Sequence, residues 1–98
     1  MTPEYQLSNA AKQDLINIAR YGDRQFGIAQ SDHYRNLLKL RFTLISNQPR
    51  LYPSVEHIRK GYRRSVCGVN SIYYRIVGSQ VIIERFLGMQ DINKILNK

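Results

Sequence analysis

The feature that most constrains this chain is a change of hydrophobic period at Asn47-Gln48-Pro49. Before it, apolar residues recur every three or four positions, which places them along one side of an α-helix. After it they alternate, as in strands with one buried face. Helices followed by strands imply an α+β fold rather than a repeating βαβ arrangement.

The first half reads as a strand and two helices. Glu4-Tyr5-Gln6-Leu7 alternates polar and apolar residues, and Ser8 is suited to cap the helix after it. Ala11, Leu15, Ile18, Gly22 and Phe26 form one helical face, and Gly27 supplies a left-handed stop. A second helix is expected from about Ile28 to Ser46, with a stripe of Leu37, Leu40 and Leu44 widened by Tyr34, Leu38 and Ile45. Pro49 ends it, because the residue before a proline avoids helical geometry. With only Gly27 between them, the helices should form an antiparallel hairpin.

The second half reads as a loop and a meander. Residues 50–58 have no period and contain Pro53. Strands are expected over Gly61–Val66, Val69–Val77 and Gln80–Leu87, with turns at Cys67-Gly68 and Gly78-Ser79. Asp91 is placed to cap a short terminal helix carrying Ile92, Ile95 and Leu96. The expectation is one domain over residues 1–98: an N-terminal strand, an antiparallel helical hairpin packed on an antiparallel sheet with a C-terminal three-stranded meander, and a short C-terminal helix. The hairpin would bury its leucine stripe on one sheet face, and the other face, rich in arginine and tyrosine, would look outward.

Charge narrows the partners. The 98 residues carry a formal net charge of +8. Residues 1–48 hold six Lys and Arg against four Asp and Glu, and residues 49–98 hold nine against three, so the positive field belongs to the second half. Such a field attracts nucleic acid, an acidic protein or an anionic surface. The longest clearly apolar run is Val81-Ile82-Ile83, far short of a membrane span. The N-terminus lacks the basic start and apolar stretch of a signal peptide, and the single Cys67 has no partner for an internal disulfide, so a reduced cytoplasmic setting is expected.

The densest basic cluster is Arg59-Lys60-Gly61-Tyr62-Arg63-Arg64. Arg63 and Arg64 point to opposite faces of a strand, so one of them should share a face with Arg75 or Arg85. Guanidiniums gathered this way suit phosphates or carboxylates, and Tyr62 and Tyr73 add stacking surfaces. These six cations and two tyrosines are the candidate binding surface. His33 and His57 have no companions at metal-ligand spacing. There is no glycine-rich phosphate loop, so neither metal nor cofactor is expected.

These residues carry a resemblance. Tyr5-Gln6-Leu7-Ser8, Ala11, Asp14-Leu15, Ile18 and Tyr21, then Gln25-Phe26-Gly27 and Pro49, then Gly61-Tyr62-Arg63-Arg64, Ile72-Tyr73-Tyr74-Arg75, Ile83-Glu84-Arg85-Phe86-Leu87 and Gln90-Asp91 resemble, in order and spacing, the ParE branch of the RelE/ParE toxin superfamily. The resemblance implies a helical hairpin on a sheet. It implies a type II toxin that poisons DNA gyrase and is held in check by a ParD-like antitoxin with an acidic tail that folds on binding. Operator DNA would then be contacted through the antitoxin complex.

RelE-like relatives instead cut mRNA on the ribosome, which needs a base, an acid and cations for the developing phosphate charge. The stretch Leu87-Gly88-Met89-Gln90-Asp91 has neither His nor Tyr, the only carboxylate on the strands is Glu84, and His57 would have to fold over from the loop. Arginines bind phosphate but do not shuttle protons. The inventory therefore favours a binding toxin with no catalytic residues over an endoribonuclease. A plain nucleic-acid-binding module is the third reading, and its affinity would fall steeply with salt.

Overall fold

A computed structural model describes residues 5–88, so the expected terminal helix at Asp91 lies outside the described residues. The elements are β1 (Tyr5–Leu7), α1 (Asn9–Phe26), α2 (Ile28–Asn47), β2 (Arg63–Cys67), β3 (Asn70–Val77) and β4 (Gln80–Gly88). Ser8 caps α1 as expected, its hydroxyl accepting from the Ala11 amide at 3.0 Å. Gly27, at φ 86°, ends α1 and starts α2 in a single residue, a backbone angle that other residues adopt only at a cost.

The sheet order is β1-β4-β3-β2. The meander is antiparallel, but β1 joins β4 in parallel, Tyr5 opposite Val81 and Leu7 opposite Ile83, so the sheet is mixed. A parallel pair needs a long crossover, and here the helical hairpin supplies it.

Leu38, Phe42 and Ile45 of α2 pack with Ala11 of α1 against Ile72, Tyr74, Val81, Ile83 and Phe86. The Phe42 ring lies 5.5 Å from Tyr5 and 5.3 Å from Phe86. Each fully buried aliphatic or aromatic side chain here contributes roughly 1.5–3 kcal/mol. The expected stripe is corrected: Leu37, Leu40 and Leu44 are 42%, 63% and 53% exposed. The hairpin turns the Leu38–Phe42–Ile45 side of α2 to the sheet.

The second sheet face does not look outward as expected. Val55, Tyr62 and Ile58 cover Tyr73 and Leu87 there. The free edge of β2 is fastened by α2: Arg41 donates to the Val66 carbonyl at 2.6 Å, and the Tyr34 hydroxyl to the Cys67 carbonyl at 2.6 Å. The Arg41 bond satisfies an edge carbonyl that would otherwise invite another strand, and the Tyr34 bond holds the turn end of β2.

Candidate functional site

Residues 53–62 form a strap over the second sheet face. Ser54 bridges Arg63, the Val55 amide donates to the Tyr62 carbonyl at 2.8 Å, and the Arg64 amide donates to the Pro53 carbonyl at 3.1 Å. Inside the strap, the Glu56 carboxylate accepts from the Gly61 amide at 2.7 Å. Val55, Ile58 and Tyr62 point inward, and charged side chains are left at the surface.

The structure divides the candidate cations into two groups. Arg59, Lys60, Arg63 and Arg64 belong to the strap and its base. The Arg59 guanidinium lies 5.7 Å from the centre of the Tyr62 ring, and Lys60 is exposed beside the turn. Arg63 stands opposite Tyr74 and donates to the Tyr52 carbonyl at 2.7 Å, while Arg64 stands opposite Tyr73 on the other face.

Arg75 and Arg85 are held elsewhere. Arg75 pairs with Glu84. Arg85 is bound by both Asp14 oxygens, at 2.7 and 3.0 Å, and the same carboxylate accepts the Phe86 amide at 3.0 Å. The cause is a bulge: Tyr74 stands opposite Ile83 but Tyr73 opposite Arg85, so Glu84 is extra. Beyond it β4 is re-aimed and Arg85 reaches α1. Asp14 is therefore a fastening point between α1 and β4. The hydrogen bonds that Arg75 donates to Glu84 and Arg85 to Asp14 raise the pKa values of both arginines above the ordinary arginine value.

The tyrosines are corrected. Tyr73 is 0% and Tyr62 9% exposed, so in this conformation neither offers a ring for stacking. The signal that could have shown this is the pair Val55 and Ile58, apolar residues in a stretch without a period.

His33 and His57 are both exposed, and Cys67 is a buried free thiol. Among the described residues no group of three or more His, Cys, Asp and Glu is arranged to hold a metal, and no helix is long and apolar enough to cross a membrane. What the strap and its base can do chemically is bind anions through fixed positive charge.

A second surface is apolar. Leu37, Leu40 and Leu44 follow one another at spacings of three and four along α2, the seam of a helix that pairs with another helix. On the opposite flank of α2, a groove of about 280 Å³ runs between Tyr5, Leu7, Leu15, Leu38 and Phe42.

The comparisons agree with this architecture. A family model described as the ParE toxin of the type II toxin–antitoxin system parDE matches residues 5–92. Toxin ParE1 of Caulobacter vibrioides is 36% identical over 83 residues, covering 85% of each chain. Toxin ParE1 of Mycobacterium tuberculosis is 29% identical over 82 residues, covering 84% of each. In fold, the chain is similar to one in a solved structure of a chromosomal ParDE system from P. aeruginosa, with TM-score 0.77 over 89% of this chain and 96% of that one at 13% identity. On the extent of the family match and the similarity to the Caulobacter relative, the chain belongs to the ParE toxin family of type II toxin–antitoxin systems.

Proposed function

We propose that this ParE toxin arrests growth in the cytoplasm by binding DNA gyrase and stabilising its cleaved-DNA state, without catalysis of its own, and that a ParD-type antitoxin neutralises it. The observation that carries the reading is the contrast between two surfaces. One is the cationic strap with its base, holding Arg59 and Lys60 in the strap and Arg63 and Arg64 at the start of β2. The other is the exposed leucine seam of Leu37, Leu40 and Leu44 on α2. A toxin needs one surface for its target, here gyrase together with its cleaved DNA, and another for its inhibitor.

The antitoxin's chemistry follows from the seam and the charge. A helix with apolar residues every three or four positions fits Leu37, Leu40 and Leu44. Acidic residues beside that stripe would complement a chain of charge +8. A segment disordered when free can wrap both α2 and the neighbouring groove, at a cost in ordering entropy. The solved relative's title names a ParDE system, which supports the same partner class.

The test is a supercoiling assay with purified gyrase and this chain, with and without the product of the adjoining gene. The expected result is inhibited supercoiling and trapped cleaved DNA, both relieved by that product. Leu40→Asp should weaken the relief and leave inhibition intact. Untouched gyrase, or cut mRNA in a translation extract, would overturn the reading.

A further inference from the structure

We infer that the strap and its base form a binding surface for the phosphate backbone of duplex DNA, so that this chain grips the nucleic acid itself. The inference rests on the gyrase reading only for the choice of duplex DNA among phosphate polymers. The surface stands on its own observations.

The first is how ion pairing distributes charge. Among the described residues of the second half, Arg75 is engaged by Glu84 and Arg85 by Asp14. Arg50, Lys60, Arg63 and Arg64 form no salt bridge with a described acidic residue. All four lie in the strap or beside its two ends. The bridge between Ser54 and Arg63 brings those ends together, and the strand's alternation sends Arg63 and Arg64 to opposite sides of the base. The strap's one carboxylate, Glu56, is already committed to the Gly61 amide.

The second observation is what the strap exposes. Its surface residues are Pro53, Ser54, Glu56, His57, Arg59, Lys60 and Gly61, while Val55 and Tyr62 are buried and Ile58 packs with them. The buried centre of a protein–protein interface is depleted of lysine and rich in apolar side chains. A nucleic-acid interface is polar and strongly positive. The strap has the second character, and the Leu37–Leu40–Leu44 seam has the first. Arg59, placed over the Tyr62 ring, presents a guanidinium with part of its freedom already removed.

Such contacts carry no base sequence and are read out by salt. The experiment is fluorescence anisotropy of a labelled random-sequence DNA duplex with the full chain across a salt series. With four cations engaged, the logarithm of the association constant should fall against that of salt with a slope of roughly −3 to −4. Lys60→Gln and Arg64→Gln should each reduce the slope by about 1, with unchanged melting temperature. Lys12→Gln, exposed on α1, should leave it unchanged.

No binding at low salt, or a slope indifferent to Lys60 and Arg64, overturns the inference. So does a loss of affinity for isolated gyrase subunits in those variants while DNA binding is untouched, since the strap would then be a protein contact. The two proposals fail separately. Gyrase poisoning without a DNA slope removes this one alone, and a DNA slope without gyrase poisoning removes the other alone.

Discussion

Asp14→Ala is expected to be among the most damaging substitutions outside the apolar core. The carboxylate accepts both hydrogen bonds from Arg85 and a third from the Phe86 amide. Its side chain is 13% exposed and that of Arg85 27%. Leaving the Phe86 amide unpaired costs about 1–2 kcal/mol. An exposed ion pair contributes less than about 1 kcal/mol, and breaking a buried one costs about 3–5. At these exposures the Arg85 pair falls between the two, at about 1–1.5 kcal/mol. The sum is about 3 kcal/mol, a drop in melting temperature of roughly 12–20 °C for a chain this size. Asp14→Asn keeps an oxygen for the Phe86 amide and loses the charge, so it should cost only about 1 kcal/mol. Urea unfolding measures both, with the slope against denaturant unchanged. A double-mutant cycle with Arg85→Met should return a coupling of about 1–1.5 kcal/mol. If Ala and Asn cost the same, or Ala costs under 1 kcal/mol, the fastening role of Asp14 is wrong.

Three further outcomes are expected. Burial pushes the Tyr74 hydroxyl up to about 12 from its ordinary 10. The unfolded chain therefore ionises first, and stability, full below pH 10, should fall by up to about 1.4 kcal/mol per pH unit between 10 and 12. Tyr34, also raised by burial, acts in the same direction, so Tyr74→Phe should flatten an alkaline unfolding series in part while costing about 1 kcal/mol for its bond to the Pro49 carbonyl. Tyr73→Phe should do the reverse and stabilise by up to about 1 kcal/mol in urea unfolding, because the Tyr73 hydroxyl is buried with no hydrogen-bond partner among the described residues. Gly68→Ala should cost about 2–3 kcal/mol by thermal unfolding: φ is +62° and the new Cβ would sit 2.7 Å from the Tyr34 ring, whose hydroxyl is pinned. Gly78→Ala, at φ +61° with open space around it, should cost only about 1 kcal/mol.

The local signals in the sequence translated directly into structure. Ser8 and Gly27 delimit α1 because capping and positive φ are decided within a few residues, and the meander follows from alternation and short turns. Choosing the buried face of α2 was harder, since two apolar sets compete along it. Leu38–Phe42–Ile45 and Leu37–Leu40–Leu44 have similar spacing, and only the position of the sheet selects between them. The parallel pairing of β1 and the link from Asp14 to Arg85 depend on contacts more than 70 residues apart, on which periodicity is silent, and the bulge at Glu84 breaks the alternation within the β3–β4 hairpin. For the site, the cluster Arg59-Lys60-Arg63-Arg64 was legible as a run of charge. The removal of Arg85 into its pair with Asp14, and the covering of Tyr73, were not.

The parallel junction of β1 with β4 also sets a timetable for the nascent chain. Ser8 bonds the Glu84 carbonyl across 76 positions, so the earliest elements to leave the ribosome wait for one of the latest. At roughly 5–20 residues per second, that interval lasts about 4–15 seconds. Throughout it β1 has no partner strand, and α1 lacks the β4 residues it fastens, so the sheet cannot close until β4 is made.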